Sequence, residues 1–214
     1  MSDLWSGRAQ AFRESDVHQH GEDLELLVGW ASGAETALDV ASGGGHVARR
    51  LRDAGLEVVS SDPAPGMEPD VICRAEDLPF ATASFDVVAC RRAAHRFADV
   101  RAALGEMARV SRHVVLVEDL LYDGEGAEAA HRLRDPSHVR SYTEAEWSRL
   151  FEAVDLDVEA VELFPGRGLD FQAWLDRVEC SGAEAERVRE SLGERVEGGR
   201  VRIPGIALKG TKAA

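Results

Sequence analysis

The sequence predicts an α/β fold, a doubly wound, mainly parallel sheet with helices on both faces. Three observations predict it. Short apolar runs alternate with segments of helical spacing between residues 36 and 119. The first run, "LDVASGGGH" (38–46), passes through three consecutive glycines into a helical segment. A second acid, Asp62, closes the second run 23 residues after Asp39. Strands alternating with helices bury both faces of a parallel sheet.

Each element has its own signal. Residues 8–32 mix helix formers with polar residues, and "EDLELLVGWA" has helical spacing, so helices precede the first strand. "TALDVA" (36–41) is a buried strand. "GHVARRLRDAG" (45–55) carries Val47, Ala48, Leu51 and Ala54 on one helical face, and Gly55 ends it. "LEVVSSD" (56–62), "DVIC" (70–73), "SFDVVAC" (84–90) and "RHVVLVED" (112–119) give four more strands, with a helix at 100–110. Helices near 143–153, 170–178 and 183–195 and strands near 157–163 and 200–208 follow. Only eight residues, "PAPGMEPD" (63–70), join the second and third strands. A parallel crossover ordinarily needs a dozen or more. The helix expected there is therefore missing or reduced to a turn, which leaves part of one sheet face thinly covered or open to a partner.

The totals bound the function. At 214 residues there is room for one sizeable core. A formal charge of −14 repels phosphate backbones, so no nucleic-acid partner is expected. Three widely spaced cysteines form no CxxC pair, which speaks against disulfides or zinc and for a cytoplasmic setting. No signal-peptide pattern and no membrane span is expected.

The spacing Gly43-x-Gly45-x-x-Ala48 between strand and helix fits a general nucleotide-binding turn, and equally a tight turn with no ligand. No Lys-Ser/Thr pair follows, so it is not a phosphate-gripping loop. Asp39 narrows the choice. A carboxylate beside the helix start repels a diphosphate and welcomes an ammonium or sulfonium group. An acid about 20 residues beyond the glycines accepts hydrogen bonds from ribose hydroxyls, the role open to Asp62. A ribose with a positive end describes S-adenosylmethionine.

"LDVASGGGHVA", "VVSSDPAPGM", "RAEDLPFATASFDVVACRRAAHRFADV" and "ALGEMARV" resemble successive motifs of the class I S-adenosylmethionine-dependent methyltransferases. The resemblance is to the small-molecule subgroup that includes the ubiquinone and menaquinone biosynthesis enzymes. It implies that Asp39 lies near the methionine amino group and that Ala41, Gly43 and Gly45 supply backbone contacts. It implies that Asp62 holds the ribose diol, that Pro63 lies beside the adenine, and that Ala75 and Glu76 flank the adenine edge. Arg91 is implied to sit under the methionine carboxylate and to face the substrate. Ala41 and Ser42 stand where the family commonly has Gly and Cys. Arg74 stands where an acid or amide often touches adenine, and the Pro-Gly-Gly before the fifth strand is missing.

His95, in the loop after the fourth strand, is the candidate general base, with a packing or capping role as the alternative. Arg134, His138 and Tyr142 are candidate acceptor-binding residues from a polar insert at 120–142. His18 and His20 are expected to be solvated, and no metal site is expected. Trp147 and Trp174 read as packing residues. These readings give one Rossmann-like domain of seven strands, the last antiparallel. It comprises N-terminal helices (1–35), a cofactor core (36–119), the lid or insert (120–142) and C-terminal helices and strands (143–214). The expected activity is methyl transfer from S-adenosylmethionine to a small acceptor, with a homodimer left open. A non-catalytic binding or interaction protein and a dinucleotide-dependent oxidoreductase are the alternatives.

Overall fold

The computed structural model describes residues 2–166 and 168–212, with side chains from residue 4 onward. Three helices come first: α1 (Ser2–Arg13), α2 (Asp16–Gln19) and α3 (Glu22–Trp30). The alternating core follows as β1 (Thr36–Val40), α4 (His46–Asp53), β2 (Glu57–Asp62), β3 (Val71–Ile72), β4 (Phe85–Arg91), α5 (Val100–Val110) and β5 (Ser111–Leu120). The insert holds α6 (Glu125–Arg134), and then come α7 (Glu144–Glu152) and β6 (Leu156–Phe164). The chain ends with β7 (Gly168–Asp170), α8 (Phe171–Asp176), α9 (Gly182–Leu192), β8 (Val196–Glu197), β9 (Arg200–Arg202) and β10 (Gly205–Lys212).

The main sheet has seven strands in the order β3-β2-β1-β4-β5-β10-β6. The pairs among β1 to β5 are parallel, and β10 runs antiparallel to both β5 and β6. The strands alternate their side chains between two cores, as pleating requires. Leu38, Val40, Val88 and Val117 face α5 and α7, where Met107, Trp147 and Phe151 are fully or almost fully buried. Ala37, Val87 and Leu116 face α3 and α4 through Leu24, Leu27, Val47 and Leu51. Asp39 shares the Ala37 face by its position in the strand.

The final strand expected at 200–208 is two strands. Pro204 has no N–H and a fixed φ, so the chain leaves one ladder there and enters another. Before it, β9 joins a small sheet of order β7-β9-β8; after it, β10 enters the main sheet. The helix expected at 183–195 ends at Leu192, where Gly193 takes φ +54. The insert and the C-terminal helices share a core. Ala127 and Ala130 of α6 cluster with Trp174, Leu175, Val188 and Leu192.

Between β2 and β3 stands a single 3-10 turn, Pro65–Met67, in place of a crossover helix. The face it leaves is covered by the chain itself. Ala9 of α1 is buried with Ala64 and Met67, and Trp5 and Phe12 pack against them. Ser6 Oγ accepts from the Gly66 N–H at 3.0 Å, and Arg13 donates to the Gly66 carbonyl at 2.6 Å. The partly open face expected from the short connection is thus closed by α1, although Ile72 on edge strand β3 remains exposed. Among the described residues, no helix is long and apolar enough to cross a membrane.

Candidate functional site

At the C-terminal end of β1 the backbone enters the left-handed region three times, at Ala41 (φ 55), Gly43 (φ 51) and Gly45 (φ 72). Glycine adopts it freely, whereas Ala41 carries about 1–2 kcal/mol of strain. A Cβ placed on Gly43 would meet nothing within 4 Å, so that backbone faces open space. Gly45 is the N-cap of α4 and has no side chain to cap it. Asp39 takes over the duty: its buried carboxylate accepts the Ala48 N–H at 2.9 Å. Burial, followed by the field of Asp62, raises the Asp39 pKa to about 7 against the opposing pull of that N–H. Asp62 accepts from the Gly43 N–H at 3.0 Å and the Ala64 N–H at 2.8 Å, and burial raises it too.

These groups border a cavity of about 620 Å³. Asp39, Ala41, Gly43, Asp62 and Pro63 line it, as do Ala75, Glu76 and Arg91. Gly45 shapes the turn without lining this cavity. Glu76 accepts the Ala98 N–H at 3.1 Å and an Arg74 N–H at 3.2 Å. Arg91 is buried and committed in part to α3. It donates to Asp23 at 2.8 and 2.5 Å and to the His18 carbonyl at 2.9 Å.

A second cavity of about 160 Å³ adjoins the first, and Phe12, His18, Arg92 and Arg96 line both. His95 lines it. The Asp119 carboxylate accepts the His95 backbone N–H at 2.7 Å and pairs with His95 Nδ1 in a very short contact. Burial raises Asp119 to about 6 and, with the Arg96 field, holds His95 well below its ordinary value. His95 is therefore neutral, with Nδ1–H assigned to Asp119 by the partner present. His95 Nε2 has no hydrogen-bond partner among the described residues. His138 lies 5.3 Å from the His95 ring, and His131 stacks 5.2 Å beyond it. Glu128 holds His138 Nε2 at 3.1 Å. Arg134 donates twice to the Trp174 carbonyl, at 3.0 and 2.7 Å, and its guanidinium lies 4.1 Å from the Trp174 ring centre.

A methyltransferase domain model matches residues 38–114. YcgJ, an uncharacterised methyltransferase of Bacillus subtilis (strain 168), is 33% identical over 213 residues, which spans 88% of this chain and 82% of the relative. The chain is a class I S-adenosylmethionine-dependent methyltransferase. The solved YcgJ structure superposes with a TM-score of 0.81 at 25% identity, covering 91% of this chain and 100% of that one. BH2331 from Bacillus halodurans C-125, a candidate methyltransferase, gives 0.80 at 26% identity with the same coverage.

In this methyltransferase, His95, His138 and Arg134 gather at the smaller cavity, whereas Tyr142 lines neither. Its ring belongs to the main core, 5.1 Å from Trp147. Its place at the end of the polar insert suggested a pocket role, whereas its ring packs on the apolar face it shares with Trp147. Trp147 packs as expected, while Trp174 both packs and lines the smaller cavity. His18 is half-buried rather than fully solvated: Ser15 Oγ meets its Nδ1 at 2.8 Å, and its ring lies 5.2 Å from Phe12. His20 is exposed and pairs with Asp16. Sequence reasoning missed Trp5, Phe12 and His18 as cavity walls and Asp119 as the partner of His95. The signal for Asp119 was present, since an acid ends the apolar run "VVLVED" much as Asp39 interrupts "LDVA".

Proposed function

We propose that this enzyme transfers a methyl group from S-adenosylmethionine in the larger cavity to a small-molecule acceptor in the smaller one. The observation that carries the reading is the meeting of the two cavities at His18 and Arg92, with the Asp39–Asp62 pair on one side and the His95–Asp119 pair on the other. The residues present fit the cofactor. A 620 Å³ space suits a nucleoside-sized ligand. Asp39 and Asp62 offer acceptors for an ammonium group and for ribose hydroxyls, and Arg74, Arg91, Arg92 and Arg96 line the same cavity. Family membership leaves the dinucleotide oxidoreductase unsupported, and the His95–Asp119 pair disfavours a purely non-catalytic role.

When bound, the cofactor supplies an electrophilic methyl group on a sulfonium. Asp39 would meet the amino group and the free lone pairs of Asp62 the ribose hydroxyls, with Pro63, Ala75 and Glu76 around the base. Arg91 would share its guanidinium between Asp23 and the methionine carboxylate. Trp5 and Phe12 line the larger cavity, where their rings would help keep water from the bound cofactor. His95 Nε2 accepts the proton that leaves an ionisable acceptor. Asp119 holds the imidazole in the required tautomer and stabilises the charge it gains.

Calorimetric titration with S-adenosylhomocysteine, followed by turnover assays over an acceptor panel, tests this reading. His95→Gln should retain cofactor affinity and lower kcat about 10²–10⁴-fold, the range for a general base. Full turnover in His95→Gln, with acceptors that must lose a proton, would remove His95 from the role.

A further inference from the structure

Four arginines line the smaller cavity, Arg92, Arg96, Arg134 and Arg177, together with the carboxylates of Glu22, Asp23, Glu118 and Asp135. Two of the four arginines are matched. Arg92 faces Asp23 at 3.2 Å and Glu118 at 3.4 Å, and Arg96 faces Asp135 at 3.3 Å. Arg134 and Arg177 have no carboxylate within 4.0 Å among the described residues. Glu22 also lines this cavity, but it is exposed, where water screens it.

Arg134 is buried, with 8% of its surface exposed, yet its bonding goes only to a carbonyl and an aromatic face. Burying an uncompensated cation is costly, and in a chain of formal charge −14 carboxylates are abundant. Burial lowers its pKa only to about 9, so it stays charged at neutral pH. The Arg177 field reaches Arg92, Arg134 and His18, which places it at the same chamber. His95, His138 and His131 form a row of rings, inclined by 35° and 24° to one another, that Trp174 closes edge-on at 5.8 Å. Aromatic rows of this kind pack against planar ligands by edge or by face.

We infer that the acceptor is a small planar anion, with a carboxylate anchored by Arg134 and Arg177 and its ring against the His95–His138–His131 row. This rests on the methyl-transfer reading above and names the substrate class of that site. The carboxylate is the anchor, so a separate atom of the acceptor lies toward His95 and the cofactor cavity. Arg177, which lies outside the recognisable cofactor motifs, becomes a specificity-determining residue.

The test uses the full chain loaded with S-adenosylhomocysteine. Binding of benzoate, 4-hydroxybenzoate and salicylate is compared by calorimetry with that of the three corresponding amides. At least one carboxylate should bind ten-fold or more tightly than its amide. Arg177→Gln should remove most of that preference, Arg177→Lys should retain part of it, and both should keep the wild-type affinity for S-adenosylhomocysteine. If no carboxylate outperforms its amide, or if the preference survives intact in Arg177→Gln, the inference is overturned. Failure of S-adenosylhomocysteine to bind at all would instead strike at the methyl-transfer reading, so the two failures are distinguishable.

Discussion

Asp39 has two functions that pull in opposite directions. As a helix cap it is satisfied by the Ala48 N–H in either protonation state, but as a cation site it must ionise. With its pKa raised to about 7, the folded protein holds a proton that the unfolded chain has lost above its ordinary value of 3.8. The Asp39 contribution to stability is therefore greatest at low pH and declines as pH rises through that window. Cofactor binding has the reverse sign, because the ionised form attracts the cation. Affinity for S-adenosylmethionine should fall as pH drops through about 7, and Asp39→Asn should flatten the profile. The same variant should lose about 1–3 kcal/mol of cofactor binding, the usual worth of a hydrogen bond to a charged group, while the free protein melts higher at pH 8. Calorimetry and melting curves read the two effects separately. Asp39 was legible because an acid inside an apolar strand is rare. Asp119 carries the same mark, but its partner His95 lies 24 residues away, and only the adjacency of β4 and β5 brings them together.

Among the elements, α7 shows how local and long-range terms combine. Thr143 Oγ1 accepts the Glu146 N–H at 3.2 Å, and Glu146 accepts the Thr143 N–H at 2.9 Å. The helix then presents Trp147 and Phe151 to the core, both fully buried. Thr143→Ala should cost about 0.5–2 kcal/mol and Phe151→Ala about 3–5 kcal/mol in denaturant unfolding, with cofactor affinity retained. Helix α1 has a different role. It covers the short β2–β3 connection and also walls the larger cavity through Trp5 and Phe12, with Arg96 stacked 4.6 Å from the Trp5 ring centre. Phe12→Ala should weaken S-adenosylmethionine binding several-fold and also lower the melting temperature, because the ring packs against the cover that α1 makes. The short connection was legible as a spacing of eight residues. Its cover was not, because packing of α1 on Ala64 and Met67 leaves no periodic trace in either segment. The three strands of the small sheet, two or three residues each, are too short to show a period at all.

At the scale of the whole molecule, one sheet places two adjoining chambers side by side, which share Phe12, His18, Arg92 and Arg96. The ends of β1 and β2 give the chamber that holds Asp39 and Asp62. The end of β4, the end of β5 and the insert with α8 give the one that holds His95, Arg134 and Arg177. The glycine turn and the strand-end acids of the proposed cofactor site were legible because short-range motifs build them. The smaller cavity was pointed to only through His95, His138 and Arg134, because its lining comes from segments up to 193 residues apart, Phe12 to Gly205. The most direct measurement is a calorimetric titration of the full chain with S-adenosylmethionine and, separately, with NAD. The account predicts single-site binding of S-adenosylmethionine, weakened in Asp62→Ala, and no heat with NAD. Binding of NAD with no response to S-adenosylmethionine, on folded protein, would contradict it.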